Sequence, residues 1–469
     1  MRAEQFVALT AQAVDQHVLT RVQHVARTLP DAVAVDDGAV RLDYRELERR
    51  AAALASRVAA AAPAGEPVAV LLGHDASAVV AVLAVVATGA PVVVLDPTTP
   101  VDRLRHYVEQ SGATTCVTDG ARAADAAALC GRVVRCDRPL AAVPTTEVPA
   151  ATDGGGSWPR GADQLDPQAP LVLVYTSGST GRPKGVAASS ASVLHDATTN
   201  GRGCYGPGEV IANLLPMAFS AGVGLLLAGL ATGSTQALFD PRTRPVTELP
   251  AWLLAHGATV LAASPAILRG AVASLRPGEQ LGDLAAVTTA GETIHAAEMA
   301  RLRAALGPRC AVHNRYGSSE TWLIAEHVIR PGDPDPEGAV PVGRPVDGVT
   351  VEVVTEQGER TRTGTGRQVV TSRWLTQGYW RAAEATAGVF TPHPDGSTSY
   401  LTSDAATIAP DGTVRLLGRV DHSVKVRGHL VEPGEVDAVL HALPTVREAL
   451  VVGVSTEGRA RLVAYVVPE

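Results

Sequence analysis

The stretch LVLVYTSGSTGRPKG, residues 171–185, decides the reading of the whole chain. Leu171–Tyr175 is apolar at every position, as expected of a strand buried on both faces in a helix-covered parallel sheet. It runs without a spacer into Thr176, Ser177, Gly178, Ser179, Thr180, Gly181, Arg182, Pro183, Lys184 and Gly185. The glycines let consecutive backbone N–H groups converge on an anion, and the hydroxyls add donors. Lys184 contributes a mobile point charge suited to phosphate. The spacing is not that of a Walker A loop, because Pro183 precedes the lysine and Gly185 follows it. The competing reading is a polar linker between a strand and a helix. The density of hydroxyls, glycines and a lysine after a buried strand argues against it.

The residues to either side extend the pattern. Upstream, the helical stretch Tyr44–Ala62, the strand Pro67–Leu72, a helix over 77–88, the strand Val92–Leu95, a helix over 101–111 and the strand Thr115–Thr118 alternate. Short apolar strands between helices predict an α/β sheet covered on both faces. Residues 139–170, rich in Pro, Gly and Asp, read as a surface excursion. Strand-like runs resume at Val260–Ala263, Ala285–Thr289 and Ala311–Asn314. From about 340 to 417 the texture becomes short β runs and turns, predicting hairpins or a small barrel. After Gly418 come a strand at Val424–Arg427, a helix at Pro433–Leu443, and strands at Ala449–Val454 and Arg461–Val467. The expected fold is therefore α/β. It comprises a large core over residues 1–417, with α/β sheets and a β-barrel-like subdomain near 340–417, followed by a small α+β unit over 418–469 that reads as truncated.

Composition closes off other classes. Of 469 residues, 46% are hydrophobic and 19% charged, which excludes wholesale disorder. A formal net charge of -8 leaves no footprint for nucleic acid. The five cysteines show no CxxC spacing, which argues for reduced thiols in the cytoplasm and against a disulfide scaffold or zinc site. The most apolar stretch, Ala78–Leu95, is split by Thr88-Gly89-Ala90-Pro91, so it reads as a buried helix and strand rather than a membrane span. Among 40 basic residues only Lys184 and Lys425 are lysines.

YTSGSTGRPKGV resembles the signature loop of the adenylate-forming enzymes: acyl-CoA synthetases, luciferases and the adenylation domains of nonribosomal peptide synthetases. LDYREL (42–47), VATGAPVVVLDPTTP (86–100), TAGET (289–293), NRYGSSET (314–321), GYW (378–380), YLTSD (400–404) and GRVDHSVKVRGHLVEPGE (418–435) resemble further motifs of that family, in its order. The resemblance covers nearly the whole chain. It implies activation of a carboxylate by ATP and Mg2+ to an acyl-adenylate with release of pyrophosphate, then transfer to a thiol.

By that resemblance, Thr176, Ser177, Gly178, Ser179, Thr180, Gly181 and Lys184 would hold the β- and γ-phosphates, and Glu320, beside Thr321, would hold Mg2+. Tyr316 would stack on adenine in a pocket lined by Gly291 and Glu292, with Thr293, Asn314, Gly317, Ser318 and Ser319 in the same nucleotide site. Asp404, assisted by Arg419, would accept from the ribose hydroxyls. Phe219, Ser220, Gly224, Arg315, Leu323 and Ile324 would line the acyl pocket. Asp421 sits at the family's hinge position, and Lys425 lies in the region that faces the thiol-bearing arm.

Several positions depart from the family pattern. The family's catalytic lysine lies in a later loop, and this chain stops at AYVVPE before it; either the chain is truncated, the favoured reading, or the lysine is lost, and weak adenylation by the chain alone is expected. Ser220 replaces the Asp that pairs with the ammonium of an α-amino acid. A hydroxyl cannot neutralise that buried charge, so the expected substrate is not an ordinary α-amino acid. Arg315 replaces a small residue, and either meets a second acidic or polar group on the substrate, points away to solvent, or pairs with a protein carboxylate. The favoured acceptor is the phosphopantetheine thiol of an acyl or peptidyl carrier protein. The alternatives are free CoA as acceptor, or a non-catalytic scaffold. Neither nucleic acid nor membrane is an expected partner.

Overall fold

The computed structural model describes residues 9–136, 158–176, 183–200, 204–421, 423–426, 429–441, 443–456 and 459–468, without the side chains of Ala11, Gln12, Asn200 and several residues from Lys425 onward. Two large sheets carry most of the mass. The first has six strands in the order Arg132–Arg135, Thr115–Thr118, Val68–Leu71, Val92–Leu95, Pro170–Thr176 and Lys184–Ser189. Its neighbours are parallel except the last pair, which is antiparallel, with Thr176 facing Lys184. The signature loop therefore joins two strands of a hairpin, not a strand to a helix.

The second sheet has nine strands, in the order Arg344–Pro345, Trp322–Ile329, Ala311–Ser318, Ala286–Ala290, Val260–Ala262, Val210–Asn213, Thr235–Leu238, Val33–Asp36 and Arg41–Asp43. Its centre is parallel and its two ends antiparallel. Helices Ala76–Thr88 and Ser220–Thr232 are buried along nearly their whole circumference. Helices apolar all round belong in an interior. Both contribute to one continuous core with the flanking helices Val18–Thr28 and Tyr44–Ala61.

The apolar stretch 78–95 resolves as the sequence suggests. Asp75 caps the helix start by accepting from the N–H groups of Ser77 and Ala78, and Gly89 ends it at φ +77°. The strand Val92–Leu95 then enters the first sheet. Among the described residues no helix is long and apolar enough to cross a membrane. All five cysteines are free thiols.

The β-rich texture after residue 340 folds into an antiparallel sheet of Arg360–Thr361, Val349–Val354, Gly364–Ser372, Thr398–Ile408 and Phe390–Pro392, with Val414–Arg419 also paired to Thr398–Ile408. Its inward residues Val353, Val370, Tyr400 and Ile408 share a core with Tyr316 and Ile324 of the nine-stranded sheet. After Asp421 the chain forms the hairpin Val424–Val426/His429–Val431, the helix Pro433–His441, and the hairpin Val446–Thr456/Arg459–Pro468.

Candidate active site

The site gathers where the end of the six-stranded sheet, the hairpin turn after Ser318 and the β-rich sheet come together. Lys184 opens the strand Lys184–Ser189. Its Nζ lies 5.2 Å from the centroid of the Tyr379 ring. The Tyr379 hydroxyl donates to Glu320 Oε1 at 3.2 Å. Thr176 stands opposite Lys184 in register. Ser177, Gly178, Ser179, Thr180 and Gly181 lie outside the described residues.

Glu320 and Thr321 occupy a tight turn between two antiparallel strands. Ser318 N–H donates to Thr321 Oγ1 at 3.2 Å, and the two hydroxyls are 3.0 Å apart. Gly317 is obligatory here, because a Cβ would fall 2.0 Å from the Trp322 carbonyl oxygen. Trp322 itself is held at φ +59°, a sparsely populated region for a bulky residue. The turn leaves the Glu320 side chain largely buried, with its carbonyl accepting from both the N–H (3.2 Å) and the hydroxyl (2.8 Å) of Thr376.

Next to this turn lies a second polar centre. Tyr316, buried, donates its hydroxyl to Asp404 Oδ2 at 2.5 Å. Gln368 places its amide 2.6 Å from the same hydroxyl. A phenol has one proton to give, so Gln368 fits with its nitrogen turned toward the tyrosine, which also partners an otherwise orphaned amide nitrogen. Asp404 Oδ1 faces Arg419 at 3.4 Å, and Arg419 forks onto Asp421 at 2.9 and 2.6 Å. Burial alone would lower the Arg419 pKa, but Asp421 and Asp404 outweigh it and raise it. Burial likewise opposes ionisation of Asp421, yet Arg419 holds its carboxyl well below the usual range. Burial, then the Asp404 charge, push the Tyr316 phenol upward, so it stays a donor. Tyr379 and Tyr400 feel both Glu320 and Arg419, which ties the two centres together.

The other expected nucleotide residues are nearby or serve the frame. Gly291 is at φ +99° with open space where a Cβ would project. Glu292 Oε2 accepts from Arg269 at 2.9 Å, while its Oε1 is buried without a hydrogen-bond partner. Thr293 is exposed. Asn314 is turned into the protein, donating to the Pro341 carbonyl at 2.9 Å.

In the expected acyl pocket, Ser220 Oγ lies 3.1 Å from Ser319 Oγ, a neutral pair. Phe219 precedes the helix that begins at Ser220. Gly224 is covered by the Trp322 indole: a Cβ there would sit 2.2 Å from Cζ3. Leu323 is buried, and Ile324 packs into the β-rich core. Of the two partners weighed for Arg315, the structure supplies the protein carboxylate. Its Nε bonds Glu326 at 2.8 Å, and Nη1 reaches Tyr205 Oη at 3.0 Å. Glu326 Oε1 also lies 3.0 Å from His313 Nδ1, whose Nε2 is 3.5 Å from Cys204 Sγ. Burial would raise the Glu326 carboxyl, but His313 and Arg315 bring it down to about 2. Burial would lower His313, but the bonds to Cys204 and Glu326 lift it to about 9. Lys425 lies in the strand Val424–Val426, and its side chain is outside the described residues.

Sequence reasoning missed Tyr379, Gln368, Trp322 and the Glu326–His313–Cys204–Tyr205 network. Tyr379 stands inside the motif GYW, which carried no assigned role. The others carry no local signal, because their contacts join residues far apart in the sequence, from different sheets, strands and loops.

The fold is α/β with a β-rich sheet beside the two polar centres, and comparison makes its class specific. Residues 22–380 match the AMP-binding enzyme family, and the chain belongs to it. It is 33% identical over 462 residues to phosphinothricin tripeptide synthetase PhsB of Streptomyces viridochromogenes, covering 94% of this chain and 37% of that protein. It is 31% identical over 471 residues to the L-proline–[L-prolyl-carrier protein] ligase of Streptomyces coelicolor, covering 95% of this chain and 85% of that protein. The chain spans only a small part of several relatives, 12% of tyrocidine synthase 2 of Brevibacillus parabrevis. Among solved structures, the amide bond synthetase McbA of Marinactinospora thermotolerans superposes with a TM-score of 0.79 at 27% identity, over 96% of this chain and 89% of that one.

Proposed function

We propose that this chain activates a carboxylic acid with ATP to an acyl-adenylate, releasing pyrophosphate, and passes the acyl group to the phosphopantetheine thiol of a carrier protein. The observation that carries the reading is the convergence of Lys184, Glu320 and the Tyr316–Asp404–Arg419 set from distant parts of the chain around Tyr379 and Tyr400. A cation, a metal-competent carboxylate and a hydroxyl-binding carboxylate are what a nucleoside triphosphate demands.

Carboxylate attack on the α-phosphorus breaks the bond to the bridging oxygen, and pyrophosphate leaves with that oxygen. Lys184 neutralises charge on the leaving phosphates, and Asp404 fixes the ribose, so catalysis is positioning plus charge stabilisation. Mg2+ fits the donor set: Glu320 offers one carboxylate, and among the described residues no three acidic, His or Cys side chains gather around it. A hard cation that shares phosphate oxygens needs no more. When bound, it supplies further neutralisation of the phosphates. Asp421, locked to Arg419, is the proposed hinge between the core and the segment carrying Lys425.

The neutral Ser220–Ser319 pair supports an acid without an α-ammonium group, since nothing in that pair repays burial of a cation. Similarity to a carrier-protein ligase over most of its length supports the carrier thiol as acceptor. Acid-dependent ATP–pyrophosphate exchange across aryl, alkyl and α-amino acids tests the reading, with thioester formation assayed on holo carrier protein and on CoA. Exchange with a non-amino acid and loading of the carrier are expected. Preference for α-amino acids would overturn the substrate assignment, and thioester formation only with CoA would overturn the acceptor.

A further inference from the structure

We propose that Tyr379 is a positioning residue of the metal–phosphate site, a neutral spacer that holds Glu320 and Lys184 ready for ligand without letting them neutralise each other. The inference rests on the function proposed above. Its basis is the way residues 376–380 brace both halves of the site. On one side this segment runs against the strand after the signature loop. Trp380 N–H donates to Gly185 O at 2.7 Å, Ala187 N–H to Gly378 O at 3.0 Å, and Gln377 N–H to Ala187 O at 2.9 Å. On the other side Thr376 grips the Glu320 carbonyl, and Tyr379 grips its carboxylate.

The orientation of Tyr379 is enforced locally. Its N–H donates to Thr386 Oγ1 at 2.9 Å, and Gly378 takes φ +92°, where a Cβ would come within 2.3 Å of Thr386 Cγ2. The ring packs edge-on against Phe390 with centroids 5.9 Å apart. It cannot swing away without opening that core.

The chemistry follows from what each charge would do otherwise. An ammonium group and a carboxylate at one phosphate site attract strongly in partly buried surroundings. A direct ion pair would consume both, and each ligand would have to break it before binding. Among the described residues no ion pair within 4.0 Å joins them; Lys184 meets the ring face instead, and Glu320 meets the hydroxyl. Both contacts are weaker than an ion pair and are exchangeable for phosphate and Mg2+.

The test is equilibrium binding of ATP by calorimetry over a Mg2+ titration, for wild type, Tyr379→Phe and Tyr379→Leu, with thermal melts as a folding check. Tyr379→Phe keeps the spacer and loses the hydroxyl, so half-maximal ATP binding should need roughly tenfold more Mg2+, with metal-free ATP affinity unchanged. Tyr379→Leu should in addition weaken ATP binding without metal, as Lys184 and Glu320 pair. Tyr379→Phe with the Mg2+ dependence of the wild type overturns the inference alone. So does a folded Tyr379→Leu that matches Tyr379→Phe in metal-free binding. If Tyr379→Leu does not fold, the Phe variant decides. A wild type that binds no ATP at any Mg2+ concentration overturns the functional reading and this inference with it.

Discussion

Replacing Glu326 by Gln removes the carboxylate that serves both Arg315 and His313 while preserving shape. Arg315 is almost wholly buried and loses the acceptor 2.8 Å from its Nε, and His313 loses the acceptor 3.0 Å from Nδ1. Breaking one side of a buried pair costs about 3–5 kcal/mol. A pH signature separates this from ordinary damage. His313 is raised from 6.5 to about 9, so its contribution is fully present below pH 6.5 and is lost as pH rises through about 9. Roughly 2.5 pKa units correspond to about 3 kcal/mol. The depressed Glu326 contributes above its ordinary value and loses its share only as pH falls through about 2, outside that window. Tyr205, Cys204 and Asp196 complete the electrostatic surroundings of the cluster. Urea denaturation at pH 6.5, 7.5 and 9 should therefore show the wild type losing stability across the window. Glu326→Gln should start about 3 kcal/mol lower, with the loss across the window reduced, Cys204 still holding part of the His313 shift. A variant within 1 kcal/mol of wild type at pH 6.5, a threshold well below the buried-pair range, would refute the reasoning. So would an unchanged pH slope.

Three further outcomes follow from the geometry. Gly317→Ala forces a Cβ to within 2.0 Å of a carbonyl oxygen, so it should cost upward of about 2 kcal/mol and weaken ATP binding through displacement of Glu320; melts and calorimetry read both. Lys184→Arg should leave the melting temperature unchanged and cut pyrophosphate exchange by more than about tenfold, because a planar fork over the Tyr379 ring cannot follow the phosphates as an ammonium does. Tyr316→Phe keeps the ring but frees Asp404 and Gln368 from their shared hydroxyl, and nucleotide affinity should fall by about threefold to tenfold.

Much of the fold was legible because burial writes itself into composition. The helix and strand of 76–95 were readable from an apolar run broken at Gly89, and the strand after it from its lack of polar positions. The β-rich region was visible as a change of texture. The antiparallel return at Lys184–Ser189 was not: a Gly-rich segment after a buried strand fits a helix start as well as a hairpin, and only the pairing with Pro170–Thr176 distinguishes them. Lys184, Glu320, Tyr316, Asp404 and Arg419 were found as members of ordered motifs, each with a side-chain chemistry suited to phosphate, metal or ribose.

The sequence by itself determined the alternation of elements and the family, since these depend on residue type and local spacing. Tertiary structure alone decided which charges meet. Arg315 pairs across two antiparallel strands with Glu326, eleven residues away, rather than reaching for a ligand. Tyr379 reaches Glu320 from 59 positions further along the chain. Electrostatic energy depends on distance and burial, and one-dimensional spacing records neither once a chain has crossed between sheets.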